Sequence, residues 1–357
     1  MKAAVMYGVN QPLVIEDIDV DDPQANEVLV KTSASGVCHS DLHFMEGSYP
    51  YPVPCVLGHE SAGVVEKVGS AVSKVKPGDR VVVAFVTSCG ACDNCVVGKP
   101  YLCNNQQSLG RVGRIKLKGQ PIFQFANMSA FAEYQLVHEN ACVKVPDGVP
   151  MEAACLVGCS VMTGVGAVTN TARIPVGSTV AVVGAGGVGL NIIQGAKLAG
   201  ASKIIAVDLL ENKLAAAREF GATDIVDGSK GDAVAQVQAL TGGGVDFAFE
   251  AIGLAKTAEQ CFAMAKRGGR AVVVGMIPVT AMVSVPGAQF LGEKGIIGSF
   301  YGSTRQTFDM PWLMELYRQK RLKIDELISR RYKLGQINEA YAALKNGEVN
   351  RSVISFE

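Results

Sequence analysis

Hydrophobic and polar positions follow two different rhythms along the chain. Through residues 1–145 the apolar residues come in short β-branched runs, at 27–32, 63–68, 80–86 and 131–137. Pro and Gly turns such as Pro77-Gly78-Asp79 separate them. That rhythm predicts a β-rich region. From Thr179 onward, nearly unbroken apolar runs alternate with helical ones: TVAVVGAG, VGLNIIQGAKLAG, KIIAVDLL, ENKLAAAREFGA, VDFAFEAIG, TAEQCFAMAKRGG and RAVVVGM. Fully apolar strands alternating with helices predict a parallel sheet covered on both faces. The tail returns to a helix–strand mixture ending in RSVISF, and no internal repeat or low-complexity tract breaks this order. The expected fold class is α/β, with a doubly wound domain inserted between a β-rich domain and its C-terminal return.

Length and charge narrow the picture. A chain of 357 residues exceeds one typical domain, so two are expected. Lys plus Arg is 33 and Asp plus Glu is 33, a formal net charge of +0, which disfavours nucleic acid as a partner. Gly, Pro or charge interrupts each apolar stretch before it reaches membrane-spanning length, so no membrane partner is expected. The opening MKAAVMYGVNQPLVIEDIDV has no signal-peptide core, which makes a soluble cytoplasmic protein the expectation. Ten Cys in such a chain point to metal or redox chemistry rather than a disulfide framework.

Residues 179–183 run into Gly184-Ala185-Gly186-Gly187-Val188-Gly189, a helical stretch follows, and Asp208 ends the next apolar run. Forty glycines make a bare G-x-G-x-x-G weak evidence; its place between strand and helix, with an acidic residue after the next strand, makes it a dinucleotide signature. Gly184 permits the tight turn, Gly186 lets backbone approach a pyrophosphate, and Gly189 lets helix pack on strand. The helix N-terminus offers free N–H groups to the phosphates. Asp208 can accept from both ribose hydroxyls and repels a 2′-phosphate. Leu209 and Leu210 follow it with no adjacent Arg, so NAD is favoured over NADP.

Cys89, Cys92, Cys95 and Cys103 place four thiols within a short lobe, enough to satisfy tetrahedral Zn²⁺ and leave no open position: a structural zinc site. A second set is dispersed. Cys38, His59 in Gly58-His59-Glu60, and Cys159 would supply three ligands and leave a fourth position open. Spacing alone does not show that these three meet, and an ordinary polar contact remains the alternative for His59. Cys55, Cys142, Cys155 and Cys261 read as small buried apolar residues.

Together these residues resemble the zinc-dependent alcohol dehydrogenases of the medium-chain dehydrogenase/reductase superfamily. The carriers are Gly58-His59-Glu60-x2-Gly63-x5-Gly69-x2-Val72, the four-Cys lobe, Cys38-His39-Ser40-Asp41-x-His43, the glycine loop and Arg351. The resemblance covers essentially the whole chain. It implies a GroES-like catalytic domain over 1–160 and 301–357, and a Rossmann NAD-binding domain over 161–300. It further implies two zinc ions per chain, a catalytic one at Cys38, His59 and Cys159 with Glu60 close behind the metal, and Asp41 orienting His59. Thr163 and Val188 would line the nicotinamide, Lys213 would lie near the adenosine ribose, and His39 and Arg351 would meet the pyrophosphate. Phe85 would wall the substrate pocket. Ser40 would take the proton of the alcohol, passing it through the ribose hydroxyl to His43. The implied activity is reversible hydride transfer between a primary or secondary alcohol and NAD, by a homo-oligomer associating through the cofactor domain with residues 275–298 as a candidate surface.

Residues 104–130 resemble a shortened form of a loop found in vertebrate-type and glutathione-dependent formaldehyde-oxidising members. Arg111 and Arg114 in it read either as solvated charges, the preferred reading, or as carboxylate contacts for a thiol adduct. Thiol-dependent formaldehyde oxidation is therefore an alternative activity, a polyol dehydrogenase a second, and a non-enzymatic zinc protein a remote third.

Overall fold

The computed structural model describes residues 1–106 and 113–356. It divides into two compact units, one of residues 1–160 with 305–357 and the other of residues 161–304.

In the first unit, β-branched runs pair because each strand has one face to bury. The long strand Glu27–Val37 pairs antiparallel with Ser61–Val68, with Tyr134–His138 and with the C-terminal strand Arg351–Ser355. The RSVISF tail thus completes a sheet begun by residues 27–37. Arg80–Val83 and Cys142–Lys144 extend one side of this sheet, and Ile328–Tyr332 the other. A second sheet orders Val14–Asp17, Lys2–Met6, Cys55–Val56, Gln120–Gln124, Ile115–Leu117 and Asp19–Val20. Met6, Val37, Leu42, Leu57, Phe131 and Tyr341 share one buried core. The register Ser35↔Ser61 places Cys38, just past one strand, beside His59, just before the other.

In the second unit six strands lie in the spatial order Asp224–Asp227, Lys203–Asp208, Thr179–Val183, Val245–Glu250, Ala265–Val273 and Gly295–Gly298. Every pairing is parallel. This is the doubly wound sheet expected from the alternation of runs, its order reversing at the strand that feeds the glycine loop. One stretch differs. Residues 257–269 read as helix throughout, yet the helix Ala255–Met264 stops and Ala265–Val273 is strand. Its first residue pairs with Val245 across a register shift, so cross-strand pairing overrides the helical propensity of Ala265 and Lys266.

The expectation that no apolar stretch reaches membrane-spanning length needs correction. The helix Met151–Ala172 is long and apolar enough, and 83% of its most apolar window is buried within the protein. Gly158, Gly164 and Gly166 do not break it. Gly164 instead allows close approach, since a Cβ there would stand 2.5 Å from the Asn191 Cβ.

Candidate active site

Cys38 precedes the short helix His39–Met45, His59 follows the Gly58 turn, and Cys159 lies in a wide π-type turn, Val157–Val161. Their ligand atoms lie within 4.8 Å of one another, and all three residues are buried. The Cys159 Sγ to His59 Nε2 separation is 3.3 Å. A tetrahedral zinc with ligand bonds of about 2.1–2.3 Å spans roughly 3.6 Å between sulfur and nitrogen, so the donor set fits the ion.

The surroundings prepare these ligands. His59 Nδ1 lies 3.0 Å from Asp41 Oδ1, which also accepts the Gly58 N–H at 3.1 Å. The Asp41 carboxylate therefore turns Nε2 toward the two sulfurs. Burial pulls the His59 pKa down, but Asp41 and Cys38 outweigh it and push it up to about 10. Cys159 holds the Cys38 thiol well below its usual range against burial, with help from Arg351 and His59. Ser40 Oγ stands 3.6 Å from Cys38 Sγ. His43 lies one turn further along the same helix, half-buried, and His39 is exposed.

Two expected positions meet each other. Glu60 is fully buried, and its Oε1 accepts the Ser160 N–H and hydroxyl, both at 2.9 Å. Its Oε2 pairs with Arg351. The carboxylate is thus held between Ser160, which directly follows Cys159, and Arg351. Gly36 makes this possible, since a Cβ there would stand 2.3 Å from Glu60 Oε2. Arg351, only 3% exposed, pairs with Glu60, and among the described residues its Nε has no hydrogen bond.

In the cysteine lobe, Cys89, Cys92, Cys95 and Cys103 bring four sulfurs within 4.8 Å. The Cys89–Cys95 and Cys92–Cys103 separations are 4.0 and 3.9 Å, close to the roughly 3.8 Å edge of a zinc–sulfur tetrahedron. Backbone N–H groups point at the sulfurs: Ala91 and Cys92 at Cys89, Asn104 at Cys92, and Cys89 at Cys103. Donation from Ala91 and Cys92 brings the Cys89 pKa down to about 6, the thiolate form that a metal needs.

In the second unit, Gly184 takes φ +96°, and a Cβ on Gly189 would stand 1.8 Å from the Gly184 carbonyl oxygen. A Cβ on Gly186 would meet nothing within 4 Å, the open approach a pyrophosphate requires. Gly186 caps the helix Gly187–Leu198, whose first turn carries Val188. Asp208 Oδ2 accepts the Ala185 N–H at 2.7 Å, which ties the loop to the end of the second strand. Burial lowers the pKa of Lys213, and Asp208 opposes that shift. Thr163 is buried on a helical turn next to Gly164, which packs against Val188.

Known proteins share both halves. An alcohol dehydrogenase GroES-like domain model matches residues 24–147, and a zinc-binding dehydrogenase model matches residues 187–318. The class-3 alcohol dehydrogenase of Pisum sativum is 38% identical over 99% of this chain and 97% of its own length. The benzyl alcohol dehydrogenase of Acinetobacter calcoaceticus superposes with a TM-score of 0.94 at 33% identity, covering 100% of this chain and 99% of that one. A zinc-binding dehydrogenase from Sinorhizobium meliloti, solved with NADP, gives 0.82 at 31% identity over 99% and 98%. This chain belongs to the zinc-dependent medium-chain alcohol dehydrogenases. It is an oxidoreductase that uses zinc and NAD(P).

In this alcohol dehydrogenase, aromatic rings gather beside His59. Phe85 stands edge-on to the imidazole, with ring centroids 5.4 Å apart. Phe125, which periodicity does not single out, stands 6.0 Å away. Phe44 and Tyr51 pack edge-on against Phe125 at 4.7 and 5.1 Å, and Tyr49 lies 6.3 Å from His43. Phe125 begins a single helical turn containing Ala126 at φ +51°, a local irregularity with no sequence period.

Arg114 is neither solvated nor free for a substrate. Its Nη1 donates to both oxygens of Glu27 at 2.6 and 2.7 Å, and its Nε to Asp21 at 3.2 Å. The side chain is 13% exposed and that of Glu27 only 3%. Arg111 lies outside the described residues. Cys55, Cys142, Cys155 and Cys261 are buried free thiols, as their reading as small apolar residues expected.

Proposed function

We propose that this alcohol dehydrogenase oxidises primary alcohols carrying an aromatic or similarly flat apolar group, with NAD as acceptor and without added thiol. The carrying observation is the ring cluster around His59, in which Phe85 and Phe125 stand edge-on to a zinc-ligand imidazole. Flat apolar groups pack well against such edges and faces. The fold shared with a benzyl alcohol dehydrogenase points the same way. The ion pairing of Arg114 with Glu27 and Asp21 argues against its serving a thiol adduct.

Zinc at Cys38, His59 and Cys159 would acidify the alcohol hydroxyl, and the dinucleotide would accept hydride. The chain's own residues do the rest. Ser40 Oγ, beside Cys38, takes the hydroxyl proton. His43, half-buried on the same helix, exchanges it with solvent. Asp41 fixes the His59 tautomer through the Nδ1 contact. Gly186 and the following helix N-terminus receive the pyrophosphate. Asp208 accepts the Leu209 and Leu210 N–H groups as well as that of Ala185 and presents a fixed negative charge, which disfavours a 2′-phosphate.

We further infer a homo-oligomer. Strand Gly295–Gly298 lies at one end of the sheet order. Nearby Leu291 and Met282 are 89% and 85% exposed, an apolar surface suited to a second copy of this chain. We place the enzyme in the cytoplasm, where its ten cysteines, none of them in a disulfide, stay reduced.

The test is initial-rate reduction of NAD and of NADP by a panel running from ethanol to benzyl and cinnamyl alcohols, without thiol. A higher kcat/KM for the aromatic alcohols with NAD supports the reading. Turnover only with a thiol–formaldehyde adduct overturns it. Light scattering at micromolar chain concentration reads the oligomer, and a monomer mass refutes that part.

A further inference from the structure

Two buried polar atoms behind the zinc-ligand histidine have no partner. Asp41 Oδ1 is occupied by His59 and Gly58, but among the described residues Asp41 Oδ2 has no hydrogen bond. The Tyr341 hydroxyl, on helix Ile337–Lys345, has none either. Asp41 is 0% exposed and Tyr341 is 4%. Tyr341 shares its core with Val37 and Leu42, the latter adjacent to Asp41, and its ring packs edge-on to Phe131 at 6.1 Å. Buried orphans of this kind are few in folded proteins, and each calls for a donor, an acceptor or a water.

We propose that Tyr341 is a positioning residue for the catalytic centre: its hydroxyl donates to Asp41 Oδ2, directly or through one buried water. The lone donor and lone acceptor then satisfy each other. A phenol hydroxyl carries the one proton that a carboxylate oxygen can accept, and Asp41 is near enough to act on this hydroxyl. The consequence passes through the carboxylate. With Oδ1 held by His59 and Gly58 and Oδ2 held by Tyr341, Asp41 cannot rotate, and the Nδ1 contact that aims His59 Nε2 at the metal is fixed. Without the hydroxyl the carboxylate keeps only one anchored oxygen. The C-terminal segment would thus reach the metal site twice: through Arg351 on Glu60 and through Tyr341 on Asp41.

This rests on the reading of Cys38, His59 and Cys159 as zinc ligands, and the experiment keeps the two apart. Zinc release to a chelating dye is timed for the wild-type chain, Tyr341→Phe, Asp41→Asn and the double variant, with Cys95→Ala marking the lobe zinc. Direct outer contacts of metal ligands are worth about 10–100-fold in metal affinity, so a group one contact further out is expected to matter roughly 3–10-fold. Tyr341→Phe should release the catalytic zinc faster by that factor while the lobe zinc leaves at its wild-type rate. On the Asp41→Asn background the same change should add nothing. Unchanged release, equal acceleration of both zincs, or independent multiplying effects would each overturn the proposal. A wild-type chain holding zinc only in the lobe would overturn the ligand reading and this proposal with it.

Discussion

Replacing Gly186 by alanine should weaken dinucleotide binding and leave the fold intact, whereas the same change at Gly189 should damage the fold itself. Gly186 has φ −77° and ψ −168°, a conformation any L-residue adopts, and an added Cβ would meet no protein atom within 4 Å. The stability change is therefore expected within about 0.5 kcal/mol. The methyl instead occupies space that a phosphate needs to reach the backbone N–H groups at the start of Gly187–Leu198. Losing one charge-assisted hydrogen bond of about 1.5–3 kcal/mol weakens NAD binding roughly 10- to 150-fold. At Gly189 the Cβ would stand 1.8 Å from the Gly184 carbonyl oxygen, so helix and strand must separate at a cost of about 1–3 kcal/mol or more. Calorimetric melting of each variant, with titration of NAD into each, separates the two effects. Unaltered NAD affinity in Gly186→Ala, or a stability loss matching that of Gly189→Ala, would refute the reasoning.

Arg114→Leu should cost about 3 kcal/mol in urea unfolding, because it removes the guanidinium that offsets the nearly buried Glu27 carboxylate, and it should leave thiol-free alcohol turnover unchanged. A specific loss of turnover would return Arg114 to the substrate. Burial pushes the Glu139 pKa up, but the N–H groups of Ser73 and Lys74 outweigh it and hold it below the usual range. The stability this contributes is present above the unfolded carboxyl value of about 4.3 and is lost as the pH falls through the lower folded value. Glu139→Gln should flatten that acid limb in a series of urea midpoints, and an unchanged slope would contradict it. Phe85→Ala should reduce kcat/KM for benzyl alcohol about 2- to 10-fold, the worth of one aromatic contact, and that for ethanol less. Equal losses for both would remove Phe85 from the pocket wall.

The sequence carried the cofactor unit well because its cues are local. The apolar runs before Gly184 and Asp208 became neighbouring parallel strands, with Gly184 at a positive φ and Gly189 in close contact with the Gly184 carbonyl, as their spacing suggested. The cysteine lobe was legible for the same reason, with four ligands inside one short segment. The other zinc site was not legible from spacing, because it depends on the register Ser35↔Ser61 and on a helix a hundred residues further on. What was missed follows that rule. Arg114 finds Glu27 and Asp21 across a sheet edge, Glu60 finds Ser160 and Arg351, and Tyr341 reaches the level of Asp41 from the C-terminal segment. Phe125 escapes because an irregular turn, not a periodic element, aims its ring.

The most direct measurement of the central reading is the fate of the carbinol hydrogen. Zinc-replete enzyme is given [1,1-²H₂]benzyl alcohol and NAD without thiol, and the reduced dinucleotide is isolated. Deuterium at C4 of the nicotinamide, lost together with zinc from Cys38, His59 and Cys159 when Cys38→Ser is tested, is the expected result. Reduced dinucleotide without deuterium, or full turnover by Cys38→Ser, would contradict an alcohol dehydrogenase working at this centre.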